Sequence, residues 1–434
     1  MTDQNANTSL LIRNARCLDP ATGLDQITDV LIEDGLIAGI GATVGSTPER
    51  TLDADGLCLA PGLIDLRVKT GEPGEEFRET LETAGDAAVA GGVTSMAIMP
   101  DTVPVIDDVA LVEFIARRGK ATAKPRIYPI GALTRGLEGQ SMAELGLMQV
   151  AGVHLFSNGE RSVANASIMK RLMKYASGLN ACIYSRAEDS DLVGSGIMNA
   201  GTLADRMGLA GMSPDAEWII AARDLVLAEQ TGVKYLLDQA STRRTIDLVS
   251  EARAKGVDAH CTVAAYNLFF NELDIGDYLT YCKTSPPFRT EADRLGLVEA
   301  VKARQVQAVV SAHNPQPPER KRVPYPDAAF GAAGLETTLS AMMSLVMDGH
   351  MSLLEALYPL TAGPADLLNV PQGRLSEGAP ADLVVFDPNK PWLCDRENLI
   401  SKSTNSPFDG RRLYGKVRRT YVAGQLVFEA SNAH

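Results

Sequence analysis

The chain has 434 residues, of which 45% are hydrophobic, and this is enough to bury the core of one large domain and a smaller one. Its formal net charge of -13 argues against binding to nucleic acid or anionic membranes, because both need clustered Lys and Arg. No apolar run approaches the ~20 residues that span a bilayer. The first ten residues are polar and lack a signal-peptide pattern, so we expect a cytoplasmic protein.

Both ends of the chain read as short strands separated by turn residues. The N-terminal candidates are residues 10–12, 29–33 and 36–40, and the C-terminal candidates are residues 383–386 and 420–428. Strands of the same style at both ends could pair with each other. We therefore predict a small β-rich domain, built as a β-sandwich from residues 1–60 and 370–434.

Between these ends, strand-like runs alternate with helical patterns. The paired runs are 94–99 with 109–118, 152–156 with 168–175, 233–237 with 244–255, and 306–310 with a helix after residue 334. This alternation is typical of a parallel barrel. We predict a (β/α)8 TIM-like barrel over residues 61–369, in which function lies at the C-terminal ends of the strands.

Several motifs of this region occur in the order and spacing of one enzyme family. They are Pro-Gly-Leu-Ile-Asp-Leu-Arg-Val-Lys-Thr-Gly-Glu-Pro-Gly at 61–74, the segments 91–101, 131–139 and 187–201, Lys-Thr-Ser-Pro-Pro-Phe-Arg at 283–289, the segments 330–337 and 378–387, and Asn-Ser-Pro-Phe at 405–408. Together they resemble the dihydroorotases, which are cyclic amidohydrolases. The resemblance covers nearly the whole chain and implies the amidohydrolase barrel.

The residues that bind zinc in this family are replaced here. The family has His-x-His after strand one, a carboxylate after strand four, histidines after strands five and six, and an aspartate after strand eight. The corresponding residues are Arg67, Lys69, Asn158, Arg186, Gln239 and Ala312. Lys and Arg have no acceptor capacity at neutral pH, so these side chains would repel Zn²⁺. We expect no zinc and no other cofactor.

The family's substrate contacts are replaced as well. Gly71, Asp101, Ser285 and Gln316 stand where the family has an arginine, two asparagines and a histidine. Asp101 would repel the carboxylate of dihydroorotate. His313 is retained, but the family does not use it to hold substrate.

The replaced residues have a structural and a functional interpretation. Arg67, Lys69 and Arg186 could fill the former metal site by pairing with carboxylates, for which we consider Asp65, Glu188, Asp189 and Asp238. Alternatively, they could form an anion pocket. Gln239 is expected to fill the site as a neutral hydrogen-bonding side chain, and His313 to be a hydrogen-bonded strand-end residue.

The resemblance implies a catalytically degenerate dihydroorotase-like protein of pyrimidine biosynthesis. Such homologues are partners of aspartate carbamoyltransferase, so we expect a structural role in that assembly, as a homodimer or within a larger complex. One alternative is a metal-independent hydrolase of another cyclic amide, with His313 as its base. Another is an anion sensor that uses the cationic pocket.

Overall fold

The computed structural model describes residues 9–41 and 48–431, so most of the polar N-terminal stretch lies outside the described residues. The strands, in chain order, are β1 (Leu10–Asp19), β2 (Leu24–Glu33), β3 (Leu36–Ile40), β4 (Arg50–Asp53), β5 (Cys58–Pro61), β6 (Leu63–Val68), β7 (Val93–Ile98), β8 (Arg126–Pro129), β9 (Gly131–Ala132), β10 (Leu155–Ser157), β11 (Cys182–Arg186), β12 (Met198–Asn199), β13 (Gly211–Met212), β14 (Lys234–Asp238), β15 (Ala259–Ala264), β16 (Ala308–Val310), β17 (Leu383–Asp387), β18 (Trp392–Leu393), β19 (Arg412–Leu413), β20 (Lys416–Val422) and β21 (Gln425–Glu429).

Along the chain, most α-helices lie between successive barrel strands. They are α1 (Leu81–Ala90), α2 (Val109–Thr122), α3 (Leu145–Val150), α4 (Ala166–Gly178), α5 (Ser190–Val193), α6 (Thr202–Met207), α7 (Asp215–Thr231), α8 (Arg243–Ala254), α9 (Ala265–Phe269), α10 (Glu291–Lys302), α11 (Thr338–Met347), α12 (Leu353–Leu357) and α13 (Ala362–Leu368). Side-chain caps define where several begin: Asp108 accepts from Leu111 N, and Thr242 accepts from Thr245 N.

Eight parallel strands surround the core of the barrel: β6, β7, β8 with its continuation β9, β10, β11, β14, β15 and β16, where β9 pairs with β10. Every residue of β6 and β7 is buried, as expected for strands covered on both faces. A parallel bridge between Val68 and His313 joins the first and last strands, and Lys69 N donates to His313 O at 2.9 Å. The chain therefore has the α/β TIM-barrel fold predicted from the alternating pattern.

The strands from the two ends of the chain form one sheet beside the barrel. Its order is β21-β20-β17-β5-β1-β2-β3, with β4 paired to β1, and it covers a separate small core that includes Ile12, Val30 and Leu383. Arg126 of β8 reaches Asp382 with both Nε (2.6 Å) and Nη2 (3.1 Å). This bidentate pair links the sheet to the barrel. Among the described residues, no helix has the length and apolarity needed to cross a bilayer.

Candidate functional site

Arg67 lies at the end of β6, inside the mouth of the barrel, with its side chain 2% exposed. Its Nε donates to Asp238 Oδ2 at 2.8 Å and its Nη2 donates to Glu160 Oε1 at 2.9 Å. Burial opposes the charge, but Asp238 and Glu160 outweigh it and raise the pKa of Arg67 well above its ordinary value. Arg67 is therefore a permanently charged, fully paired side chain.

Lys69 extends the same network. Its Nζ lies 2.7 Å from Glu160 Oε1 and also pairs with Asp101. Burial lowers the pKa of Lys69, while Asp101 and Glu160 raise it, with a net rise. Asp101, at a family substrate position, thus serves as the partner of a neighbouring cation.

Arg186 ends β11 and is also deeply buried. Its Nη2 donates to Glu188 Oε2 at 2.9 Å and to Ser285 Oγ at 3.0 Å. Its Nη1 donates to Gln239 Oε1 at 3.2 Å, and Gln239 Nε2 donates to the Tyr266 hydroxyl at 3.2 Å. The neutral amide of Gln239 thus joins a cation to a tyrosine, since it offers an acceptor at one end and a donor at the other.

Asn158 does not face this network. Its Oδ1 accepts from Thr134 Oγ1 at 2.6 Å and its Nδ2 donates to Leu137 O at 3.2 Å, so it organises the neighbouring loop. Glu160, two residues later, supplies the carboxylate at the mouth. The sequence analysis missed Glu160, although it is the first acidic side chain after β10.

Two of the four carboxylates considered as partners have other roles. Asp65 accepts from the backbone nitrogens of Arg67 (3.1 Å) and Ser311 (3.3 Å), and Asp189 accepts from backbone nitrogens at the start of α5. Neither forms an ion pair with the three cations, so those two suggested pairings were wrong. Burial raises the pKa of Asp65 to about 6, because desolvation outweighs the hydrogen bonds from Ser311 and Arg67.

Gln239 and Ala312 share a backbone feature. Their φ values are 53° and 51°, in the left-handed region that costs a non-glycine residue ~1–2 kcal/mol. Both follow barrel strands at the mouth. Such strain collects at functional sites, and here it persists at two positions whose side chains carry no reactive group.

The other three residues at the family's substrate positions make local structural contacts. Gly71 has a φ of +86°, and a Cβ there would lie 2.5 Å from Glu75 O, so this turn has no room for a side chain. Ser285 accepts from Arg186, as described above. Gln316 is buried beside Asn314, to which its Nε2 donates at 3.0 Å.

His313 is completely buried behind the mouth. Its Nδ1 accepts from Gly334 N at 3.3 Å, so its Nε2 carries the proton and lies 3.3 Å from Glu79 Oε2. Burial raises the pKa of Glu79, but His313 and Ser401 outweigh that effect and lower it. The pair ties the end of strand β16 to the loop before α1.

Comparison with known proteins shows the family of this chain. A family model described as dihydro-orotase-like matches residues 56–245, and one described as amidohydrolase family matches residues 328–428. The chain is 40% identical to a dihydroorotase-like protein of Pseudomonas aeruginosa over 97% of this chain and 100% of that one. The chain belongs to the dihydroorotase-like family.

A second relative and a solved structure are similar to nearly the whole chain. A dihydroorotase of Syntrophus aciditrophicus is 37% identical over 97% of this chain and 99% of that one. The solved structure of an L-hydantoinase (dihydropyrimidinase) from Arthrobacter aurescens superposes with a TM-score of 0.88 at 23% identity, covering 97% of this chain and 96% of that one. That structure supports the fold alone.

The mouth of this dihydroorotase-like protein does not fit a zinc ion. At the six positions where the resemblance implies zinc ligands, the side chains are two arginines, a lysine, a glutamine, an alanine and Asn158, which is turned away. Zinc requires imidazole, thiolate or carboxylate ligands. Across residues 9–41 and 48–431, no group of three or more His, Cys, Asp or Glu could hold a metal. The cationic side chains instead take the space.

Above the ion pairs, the barrel mouth keeps a cavity of about 290 Å³. Arg67, Lys69 and Glu160 line its floor, and Tyr266 and Phe330 contribute aromatic walls. His313 is not among its lining residues. The barrel mouth of this chain is therefore open to a small molecule.

Proposed function

We propose that this chain is a non-catalytic dihydroorotase-like protein of pyrimidine biosynthesis. The observation that supports this most is the network of Arg67, Lys69 and Arg186, three cations paired with carboxylates at positions where the resemblance implies zinc ligands. Without a metal there is no means of lowering the pKa of water to ~7 for attack on an amide. Gln239 and Ala312 both have left-handed backbone conformations, and such strain is typical of functional sites. This supports a backbone inherited from an enzyme whose chemistry has been lost.

Zinc content and turnover test the loss of catalysis. We expect the purified protein, incubated with excess Zn²⁺ and desalted, to hold much less than one zinc per chain by elemental analysis. We also expect no zinc-dependent interconversion of dihydroorotate and carbamoyl aspartate. The Syntrophus aciditrophicus dihydroorotase, assayed in parallel, is the matched control. Stoichiometric zinc with robust turnover would refute the proposal.

We further propose that the chain acts as a structural partner of aspartate carbamoyltransferase. The support is the family resemblance together with the retained barrel, because a fold can keep a binding surface after its site loses chemistry. We expect one complex when both proteins, each at ~10 µM, are examined by size-exclusion chromatography with light scattering. The L-hydantoinase from Arthrobacter aurescens has the same fold and is the negative control. Independent elution would contradict the partnership.

The alternatives have less support. For a metal-independent hydrolase, His313 would have to act as a base, yet it is completely buried and paired with Glu79. For an anion sensor, the three cations would have to be available, yet each already pairs with a carboxylate. Neither requirement is met at this mouth.

A further inference from the structure

The cavity above the ion-pair network presents acids more openly than bases. The side chains of Arg67 and Arg186 are 2% and 3% exposed, whereas those of Glu160 and Glu188 are 34% and 21% exposed. All four lie in the same network, and both glutamates line the cavity. A molecule that enters therefore meets Glu160 and Glu188 more openly than the two arginines.

Each of the two glutamates commits only one oxygen to the network. Glu160 uses Oε1 for both Arg67 and Lys69, and Glu188 uses Oε2 for Arg186. In the part of the chain that the structure describes, the second oxygen of each accepts no recorded hydrogen bond. Two carboxylate oxygens at the cavity are thus available to a donor.

The charge balance also favours a cation. Arg67, Lys69 and Arg186 face four paired carboxylates: Asp101, Glu160, Glu188 and Asp238. Burial raises the pKa of Glu160, but Arg67, Lys69 and Arg186 outweigh it and hold that pKa well below its ordinary value. The Glu160 carboxylate therefore stays ionised at neutral pH and can attract a cation.

The remaining walls suit an organic molecule. Tyr266 is buried and accepts from Gln239, and burial raises its pKa to about 12, so its hydroxyl proton is retained and has no recorded acceptor within the described residues. Val193, Met212 and Phe330 add apolar surface. The cavity volume of about 290 Å³ is near the lower end of ligand pockets, at ~300 Å³.

We propose that this cavity binds a small organic cation, a primary ammonium or guanidinium compound with an apolar body. Its charged group would donate to the free oxygens of Glu160 and Glu188. The Tyr266 hydroxyl would donate a hydrogen bond to an acceptor on the ligand. The assignment rests on the proposed absence of zinc, and it excludes dihydroorotate, whose carboxylate would meet the two glutamates.

A matched series of probes tests the charge preference. Isothermal titration calorimetry at pH ~7.5 would use n-butylammonium, ethylguanidinium, neutral butyramide and anionic butyrate. We expect saturable binding of at least one cation with a Kd of ~1 mM or tighter, and at least ~10-fold weaker binding of the neutral and anionic probes. Butyrate binding as tightly as the cations, or no cation binding at ~10 mM, would overturn the proposal.

Two variants test the location. Glu188→Gln keeps an acceptor for Arg186 and removes one charge, so cation binding should weaken at least ~10-fold. Val193→Trp fills the cavity without touching the network and should abolish binding. Leu192→Trp, on the adjacent exposed position of α5, is the matched control and should bind like the parent protein. Unchanged binding in Val193→Trp would place the ligand elsewhere and overturn the assignment.

The readouts separate this inference from the proposed function. Zinc content and dihydroorotate turnover report on the loss of catalysis, whereas calorimetry reports on the cation site. We expect cation binding to survive dialysis against EDTA. A metal-free, inactive protein that binds no cation would refute only the inference made here.

Discussion

Two sets of buried cationic side chains in this barrel have different kinds of partners. At the mouth, Arg67 and Lys69 pair with carboxylates, and the pKa of each is raised. In the loops after β15 and β16, Lys283 Nζ donates to Pro326 O at 2.8 Å and lies 4.9 Å from the centre of the Phe330 ring, and Lys321 Nζ donates to Ala329 O at 2.7 Å. There, burial lowers both pKa values, and that of Lys321 falls to about 7.

The difference shows what each region requires. The mouth contains buried charges that depend on one another, so removing one partner leaves an uncompensated buried ion. The lysines after β15 and β16 serve as hydrogen-bond donors that join two loops, and burial lowers their pKa values. The free energy of unfolding should therefore respond strongly to single changes at the mouth and to pH at Lys321.

The largest effect is expected for Asp238→Ala. Asp238 is fully buried and accepts from Arg67 Nε, so its removal leaves a buried guanidinium short of a partner. We expect the free energy of unfolding to fall by ~3–5 kcal/mol in urea denaturation. The control is the double change Arg67→Met and Asp238→Leu, which removes both charges and should recover most of the loss. Equal destabilisation by the single and double variants would contradict a charge-based explanation.

A smaller, pH-dependent effect is expected for Lys321→Met. The folded pKa of Lys321, about 7, lies below its unfolded value of ~10.4, so between these values the unfolded chain binds a proton that the folded chain does not. The contribution of Lys321 to stability is full above the unfolded pKa and is lost as pH falls towards 7. The parent protein should thus gain up to about 3 kcal/mol from pH ~7 to ~9, relative to the variant.

Urea denaturation at several pH values would measure that difference. Lys174→Met changes an exposed lysine on α4 and is the matched control, which should follow the parent protein at every pH. A Lys321→Met curve parallel to the parent curve would mean that the carbonyl contacts keep Lys321 charged. The two regions would then differ in the partners of their cations and not in the charge of those cations.

The sequence predicted the barrel because its strands, buried on both faces, and its amphipathic helices alternate with clear periodicity. It also indicated that Arg67, Lys69 and Arg186 could fill the former metal site with paired charges. It did not identify which carboxylates would pair. Asp238 and Glu188 were among four possibilities, whereas Asp65 and Asp189 bind backbone nitrogens instead.

The missed partner, Glu160, illustrates why. Matching the sequence to the family pattern put Asn158 at the carboxylate position. The path of the loop after β10 turns Asn158 towards Thr134 and brings Glu160 within hydrogen-bond distance of Arg67. Loop paths depend on tertiary hydrogen bonds, which residue spacing along the chain does not specify.

The smallest effect is expected from backbone strain at the mouth, which the lysine loops lack at Lys283 and Lys321. Ala312 has a φ of 51°, so Ala312→Gly should relieve left-handed strain of ~1–2 kcal/mol while adding ~0.5–1 kcal/mol of unfolded-state entropy. We expect a net gain of ~0.5 kcal/mol in urea denaturation. Ala264→Gly is the control, because Ala264 is equally buried with a φ of -74° and should lose ~1 kcal/mol. If both variants lost stability equally, the left-handed backbone at Ala312 would carry no strain. Gln239 would then be the remaining candidate for strain at the mouth.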